Sequence, residues 1–252
     1  MAKKPDYLRV RFTPSFFAHL LKAVRAPHSR QMLTRLGRFV RPGSTVIDVG
    51  ANTGHFSRRL AHGAPAVTVV AFEPQSYARL IMWLSGMIRP MGNVLILPFA
   101  LGAEPGLTQL NLPVKRGRSF GTGLAHLGAS SHLAERFPIV SELVSVQTLD
   151  AVLAMLDLPP VSLMKIDVEG FELPVLQGGR ETIDRDRPVI LAEIPAAERF
   201  GYTLAELEGF FRGRNYLMFD PLTFSGLDHL PDDKVDALFV PKERRDELRS
   251  PA

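Results

Sequence analysis

"VIDVGANTGHF", residues 46–56, is the stretch whose reading decides the fold. Val46, Ile47 and Val49 form a short apolar run that closes on Asp48-Val49-Gly50. Gly54 follows, and "TGHFSRRLAHG" (53–63) has helical spacing up to Gly63. A strand, a glycine-rich turn and a helix start, in that order, make the ligand crevice of an open α/β sheet, beyond the carboxyl ends of its strands. Gly50 and Gly54 permit a tight backbone and a close ligand. Amides at a helix start favour a negative group.

The rhythm continues outward from that turn. "AVTVVAFEP" (66–74) is a second apolar run, "SYARLIMWLSGMI" a helix stopped by Pro90, and "NVLILPFALG" (93–102) a third strand. Further on, "LVSVQTLDAVLAML" is a strand running into a helix, "VSLMKIDVEG" a strand, "ELPVLQGG" a helix, "RPVILAEI" a strand and "TLAELEGFFRGRN" a helix. "YLMFD" and "VDALFVP" are the last two strands. Strands alternating with helices imply right-handed βαβ units and a parallel sheet. Near-continuous Val/Ile/Leu runs suit strands covered on both faces. "LTQLNLPV" reads as an edge strand or hairpin, and the polar, basic "KRGRSFGTGLAHLGASSH" (115–132) as a long loop.

The spacing argues against one ligand. A dinucleotide site wants G-x-G-x-x-G; here Gly50 and Gly54 are separated by three residues, the third glycine is missing, and Asp48 stands where a pyrophosphate would approach. Acid-x-Gly-x-x-x-Gly resembles instead the first motif of the Rossmann-like S-adenosylmethionine-dependent methyltransferases. That resemblance places the methionine part of the donor on the loop Asp48, Gly50, Asn52 and Gly54, with the acid toward the cationic side of the ligand. Glu73, at the end of the second strand, is placed to accept hydrogen bonds from ribose hydroxyls. The backbone near Phe99 and Ala100 is expected beside the adenine.

A second motif carries more chemistry. "MKIDVEGFEL" (164–173) is an apolar strand that ends in three acids, Asp167, Glu169 and Glu172, with Gly170 between the last two. Charged carboxylates are costly to bury unless paired or hydrogen-bonded. Glu172 falls in the first turn of the next helix, where a carboxylate is favourable in itself. Asp167 and Glu169 share one side of an extended chain and lack such a reason. "MKIDVEGFELPVLQGG" followed by "PVILAEI" resembles the signature of the FkbM family of methyltransferases. "VIDVGANTGHFS", "VVAFEPQSYARL", "NVLILPFALG" and "VSVQTLDAVL" precede it in the family's order, so the resemblance spans roughly 43–195. It implies a mostly parallel seven-stranded sheet with helices on both faces and a final antiparallel strand. It also implies S-adenosyl-L-methionine as donor and O-methylation of a hydroxyl on a sugar, polyketide or lipid-linked glycan.

Methyl transfer to an unactivated hydroxyl needs alignment and a proton acceptor. Asp167 and Glu169 are the candidate bases, with Asp167 slightly favoured. Glu193, ending the next strand, either binds the acceptor or pairs with Lys165. Arg116 and Arg118, with His126 and His132, sit on the basic loop and would hold an anionic acceptor if it acts as a lid. His55 follows Gly54 and is a surface helix residue or a ligand contact. Asp167, Glu169 and Glu193 could form an oxygen site for a divalent cation, but acids alone do not call for one, and no metal is expected.

Composition bounds the rest. The 252 residues are 46% hydrophobic and 22% charged, as in a globular protein with a sizeable core. The absence of cysteine excludes disulfides, thiol catalysis and thiolate-bound metal. No secretory signal is evident at the start, and no apolar run nears the roughly 18 residues a spanning helix requires, so a cytoplasmic protein is expected. The chain divides into a basic helical extension (1–42), the methyltransferase domain (43–241) and a charged tail (242–252) expected to fray. Residues 1–41 carry ten Lys/Arg and one acid, Asp6; the remainder has twenty basic and twenty-five acidic residues. Thr13-Pro14 opens a helix there, and Phe12, Phe16, Leu20 and Val24 recur every four residues. An aromatic stripe with basic residues suits peripheral contact with a membrane surface. A nucleic-acid methyltransferase would also use a basic head, but "DVEG" stands where the amino-group enzymes carry Asn/Asp-Pro-Pro-aromatic, and clustered acids repel phosphate. A small-molecule or glycan acceptor is therefore expected rather than nucleic acid.

Overall fold

The computed structural model describes residues 13–25, 30–64, 66–115, 119–120, 126–127, 139–194, 201–231, 233 and 235–249. Its elements run α1 (Pro14–Arg25), α2 (Arg30–Gly37), β1 (Thr45–Val49), α3 (His55–Gly63), β2 (Thr68–Phe72), α4 (Ser76–Ile88), β3 (Val94–Leu97), β4 (Ala100–Leu101), β5 (Gly106–Lys115), β6 (Ser119–Phe120), β7 (His126–Leu127) and β8 (Ile139–Gln147). They continue as α5 (Leu149–Ala154), β9 (Val161–Ile166), α6 (Glu172–Gly178), α7 (Arg180–Asp186), β10 (Val189–Ile194), α8 (Leu204–Arg212), β11 (Tyr216–Phe219), β12 (Gly226–Leu227), β13 (Val235–Pro241) and a closing 3-10 helix (Lys242–Arg249).

The main sheet has the order β12-β11-β13-β10-β9-β1-β2-β3. β3, β2, β1, β9 and β10 are parallel, and β13 lies antiparallel between β10 and β11. The expected seven strands are present, and the two-residue β12 adds an edge. β1 has β2 on one side and β9 on the other, so the order reverses there and opens a crevice at the carboxyl ends.

All five residues of β1 are buried. Ile47 and Val49 face a core with Leu149, Leu173, Leu176, Ile183 and Phe211 from α5 to α8. Val46 faces Phe56 and Leu60 of α3 with Leu36 and Phe39. Burial on both faces explains the unbroken apolar run, each large side chain contributing about 1.5–3 kcal/mol.

The stretch 93–102 is not one strand. The pairing of β3 with β2 ends at Phe72 and Leu97. Pro98 follows, which has no amide to extend a ladder, and Ala100 and Leu101 pair instead with Val146 and Gln147 of β8. These belong to a second sheet, built on the long antiparallel hairpin of β5 and β8. It touches the main domain closely: a Cβ on Gly178, at the end of α6, would lie 2.0 Å from the Gly102 carbonyl oxygen, and one on Gly102 would meet Phe171 at 3.2 Å.

The two ends of the chain are tied in where they are described. Phe16 and Ala23 of α1 are buried against Tyr77 and Ile81 of α4. Arg58, itself buried, donates to the Ala23 carbonyl and to Ser85 Oγ. The tail expected to fray is the 3-10 helix instead, because Arg244 is buried and donates to the carbonyls of Ser162 (2.8 Å) and Phe39 (2.9 Å). No helix among the described residues is long and apolar enough to cross a membrane.

Candidate active site

The glycine loop is shaped by contacts with the protein itself. The amides of Gly50 and Ala51 both donate to the Phe72 carbonyl at 3.0 Å. Gly50 has φ +76°, and a Cβ there would lie 1.9 Å from the carbonyl oxygen of Asp167. The Asp167 amide in turn donates to the Val49 carbonyl at 3.0 Å. Gly54, at φ +81°, would place a Cβ 2.6 Å from Met82 Cγ. The spacing of these glycines suggested room for a ligand. In the structure Gly50 lets the first motif lie directly on the second, and Gly54 lets α3 start against α4.

Asp48 is also placed differently from expectation. It is fully buried, and its Oδ2 accepts from the Ser57 amide (3.1 Å) and hydroxyl (2.5 Å), which anchors the first turn of α3. Its Oδ1 has no hydrogen-bond partner and lies 3.9 Å from Lys165 Nζ. Burial raises the Asp48 pKa, and Lys165 and Ser57 oppose the rise. Asp48 thus acts on the loop from beneath rather than from the crevice wall.

Glu73 is where the sequence placed it, just past the end of β2. Its Oε2 accepts from the Asn52 amide at 2.6 Å and its Oε1 from the Gln75 amide at 2.8 Å. Asn52 takes φ +52° to reach it. Burial pushes the carboxyl up to about 7 against the pull of those two amides. Each carboxylate oxygen has two acceptor sites, so two fixed amides orient Glu73 and leave capacity for a vicinal diol. Phe99 is half-buried at the junction of the two sheets; Ala100 is closed off inside the second one.

At the other end of the crevice, Asp167, Glu169 and Glu193 converge. Each offers a carboxylate oxygen within 4.8 Å of the others, and all three are partly exposed. Glu169 holds φ +48° and Gly170 φ +99°, the turn that takes the chain from β9 to α6. A non-glycine residue in that region is strained by about 1–3 kcal/mol, a condition that recurs at functional sites. Glu172 is separated from the cluster's chemistry. It is fully buried, takes the Gly170 amide on Oε1 (2.9 Å), and accepts the Tyr202 hydroxyl on Oε2 (2.6 Å).

Lys165 was not singled out for this role by the sequence. Its Nζ lies 2.8 Å from Asp167 Oδ2 and 3.9 Å from Asp48 Oδ1, so one cation serves the acid of each motif. Burial works to lower its pKa, but Asp167 and Asp48 outweigh it and the net shift is upward. The alternative partner, Glu193, contributes less. The available signal was positional: Lys165 lies two residues before Asp167 on one strand face and in register with Asp48. Arg116, Arg118 and His132 lie outside the described residues, as does the side chain of His126; His55 is half-buried at the start of α3.

Glu73 and the three converging acids give the crevice a negative lining. That suits a sulfonium bearing an ammonium group and a ribose diol, and opposes a pyrophosphate. These residues therefore fit S-adenosylmethionine, whose ribose diol Glu73 would accept from and whose cationic side the acidic edge would face.

A stretch of the AMB antimetabolite synthetase AmbE of Pseudomonas aeruginosa is 27% identical over 177 residues, which is 59% of this chain and 8% of that protein. Among solved structures, methyltransferase FkbM from Methylobacillus flagellatus superposes with a TM-score of 0.50 at 14% identity, over 88% of this chain and 58% of that one, a likeness of fold. A Clostridium thermocellum protein described as a putative rRNA methylase gives 0.49 at 11% identity, over 86% and 97% of the two chains. The methyltransferase FkbM domain, for which S-adenosylmethionine is the donor, matches residues 48–218, and the chain belongs to that family.

Proposed function

We propose that this chain methylates a hydroxyl oxygen of a small-molecule or glycan acceptor, such as a sugar, polyketide or lipid-linked glycan. The observation that carries this reading is the convergence of Asp167 and Glu169, past the end of β9, with Glu193 of β10 within 4.8 Å, where Gly50 packs against the Asp167 carbonyl. S-adenosylmethionine, when bound, supplies an electrophilic methyl group. The chain's own residues do the rest. Glu73 orients the donor through its ribose. Asp167, held by Lys165, fixes the acceptor. Asp167 or Glu169 accepts the proton from the attacking oxygen. Glu193 hydrogen-bonds the acceptor from the neighbouring strand. The acidic cluster repels phosphate-bearing acceptors and accepts hydroxyl donors. Likeness to part of an antimetabolite synthetase favours a small acceptor.

Calorimetric titration with S-adenosylmethionine and S-adenosylhomocysteine, followed by a mass-spectrometric screen of hydroxylated acceptors, tests the reading. Micromolar binding and a methyl ether product support it. In that assay Glu169→Gln should lower kcat while leaving donor affinity intact. Donor binding with methylation found only on nitrogen or carbon would overturn the oxygen assignment.

A further inference from the structure

The outer side of the α1–α4 pair carries an apolar surface with charges of one sign. The helices run parallel. At one end Phe16 lies edge-on to Tyr77 at 5.8 Å, and His19 Nδ1 is 2.9 Å from the Tyr77 hydroxyl. At the other end Arg89 donates to the Val24 carbonyl at 3.1 Å, and Arg58 bridges Ala23 and Ser85. Phe16, Leu20 and Ala23 form the ridge of α1 that packs on α4. Phe17 and Leu21 form the next ridge, one residue on. On α4, Ala78, Met82 and Ser85 face inward, and Trp83 and Met87 make the outer ridge. Right-handed winding of two parallel helices puts both outer ridges on the same side of the pair. Phe17 is 57% exposed, Trp83 56% and Met87 64%, with Leu21 and Ile88 also in solvent. A single exposed apolar residue is ordinary, but five large ones on two packed helices mark an interaction surface.

Charge identifies the occupant. No acid occurs between Asp6 and Asp48 or between Glu73 and Glu104, so neither helix carries one. Lys22 and Arg25 on α1, Arg79 on α4 and Arg89 just past it are the pair's own formal charges, and Glu142 of β8 accepts from the Ser76 amide at the start of α4. A second copy docked face to face would set this cationic rim against itself. Exposed Trp, Phe, Leu and Met with a rim of Lys and Arg match the interface of an anionic bilayer, where the apolar side chains enter the headgroup boundary and the basic ones remain at phosphate level. We infer that the outer face of α1 and α4, centred on Phe17, Leu21, Trp83 and Met87, docks on an anionic lipid surface. Trp83 and Met87 extend this contact beyond the basic N-terminal segment and into the catalytic domain. The inference does not depend on the acceptor.

Trp83 is the only tryptophan and lies within the patch, so it reports on its own insertion. Wild-type protein is mixed with phosphatidylcholine vesicles, with and without phosphatidylserine, and its emission is recorded. The expected result is a blue shift and quenching by brominated lipid with phosphatidylserine vesicles, weakened by salt. The shift should be lost in Phe17→Ser/Met87→Ser and in Lys22→Glu/Arg25→Glu, with the donor affinity of both variants unchanged. No shift with anionic vesicles, or an equal response to neutral ones, overturns the inference. So does a lipid-free, concentration-dependent blue shift with a dimer in sedimentation, which would assign the face to a second copy.

Discussion

The main-chain amide of Asn52 donates to Glu73 Oε2 across 2.6 Å, tying the glycine loop to the end of the neighbouring strand. This bond sets the carboxylate's direction while burial lifts its pKa to about 7 from an ordinary 4.5. Between those values the folded chain holds a proton that the unfolded chain has released. The contribution of Glu73 to stability should therefore be greatest below 4.5 and fall by about 3 kcal/mol as pH rises through 7. Donor affinity should move the other way, because the ionised carboxylate is the better acceptor for ribose hydroxyls. Glu73→Gln should flatten both profiles and weaken donor binding roughly ten- to a hundredfold, as read by calorimetry and urea denaturation between pH 5 and 8.

The glycines separate backbone strain from close contact. Gly43 has φ +74° and open space for 4 Å around the place a Cβ would take, so Gly43→Ala should cost about 1–2 kcal/mol from strain alone. Gly54→Ala adds contact with a flexible Met82 side chain, and Gly50→Ala adds a clash with the Asp167 carbonyl. The order of loss in urea melts should be Gly43, Gly54, Gly50, the last costing about 3 kcal/mol or more. Gly50→Ala should also reduce kcat, since it displaces Asp167.

Lys165→Met should leave Asp48 and Asp167 without their shared cation. Breaking a buried pair costs about 3–5 kcal/mol, because a buried charge is left uncompensated. Burial already raises Asp48's pKa, so the loss should shrink as pH falls and Asp48 takes up a proton. Thermal melts at several pH values would show the convergence, and adding Asp48→Asn should restore part of the stability at neutral pH.

Tyr202→Phe tests the assignment of Glu172 to structure. Its hydroxyl donates to Glu172 Oε2 at 2.6 Å, and burial raises the Glu172 pKa. The variant should lose about 1–3 kcal/mol at neutral pH and less in acid, where Glu172 is protonated. Its kcat, measured on folded enzyme, should stay close to wild type.

The parallel strands were legible because burial on both faces writes itself as an unbroken apolar run, as in 45–49 and 161–166. The Gly50 and Glu73 positions followed from the order strand, turn, helix. The split at Pro98 was less visible, because Ala100 finds its partner at Val146, and no local pattern announces so distant a pairing. The same holds for Lys165. A lysine near the end of an apolar strand reads as a surface residue until the register sets it opposite Asp48. Glu172 was correctly weighed as a helix-start acid. Its reach to Tyr202, thirty residues on, was not readable.

Gly178 leaves no gap over the Gly102 carbonyl, and a Cβ on Gly102 would meet Val146 and Phe171. The hairpin of β5 and β8 is thereby levered against the helix that follows Glu169. A side chain added at either glycine would force that sheet away from α6, which directly follows the Glu169 turn. A mutation at the seam between the two glycines would thus detune the reaction from a distance, with every residue around the methyl group left intact.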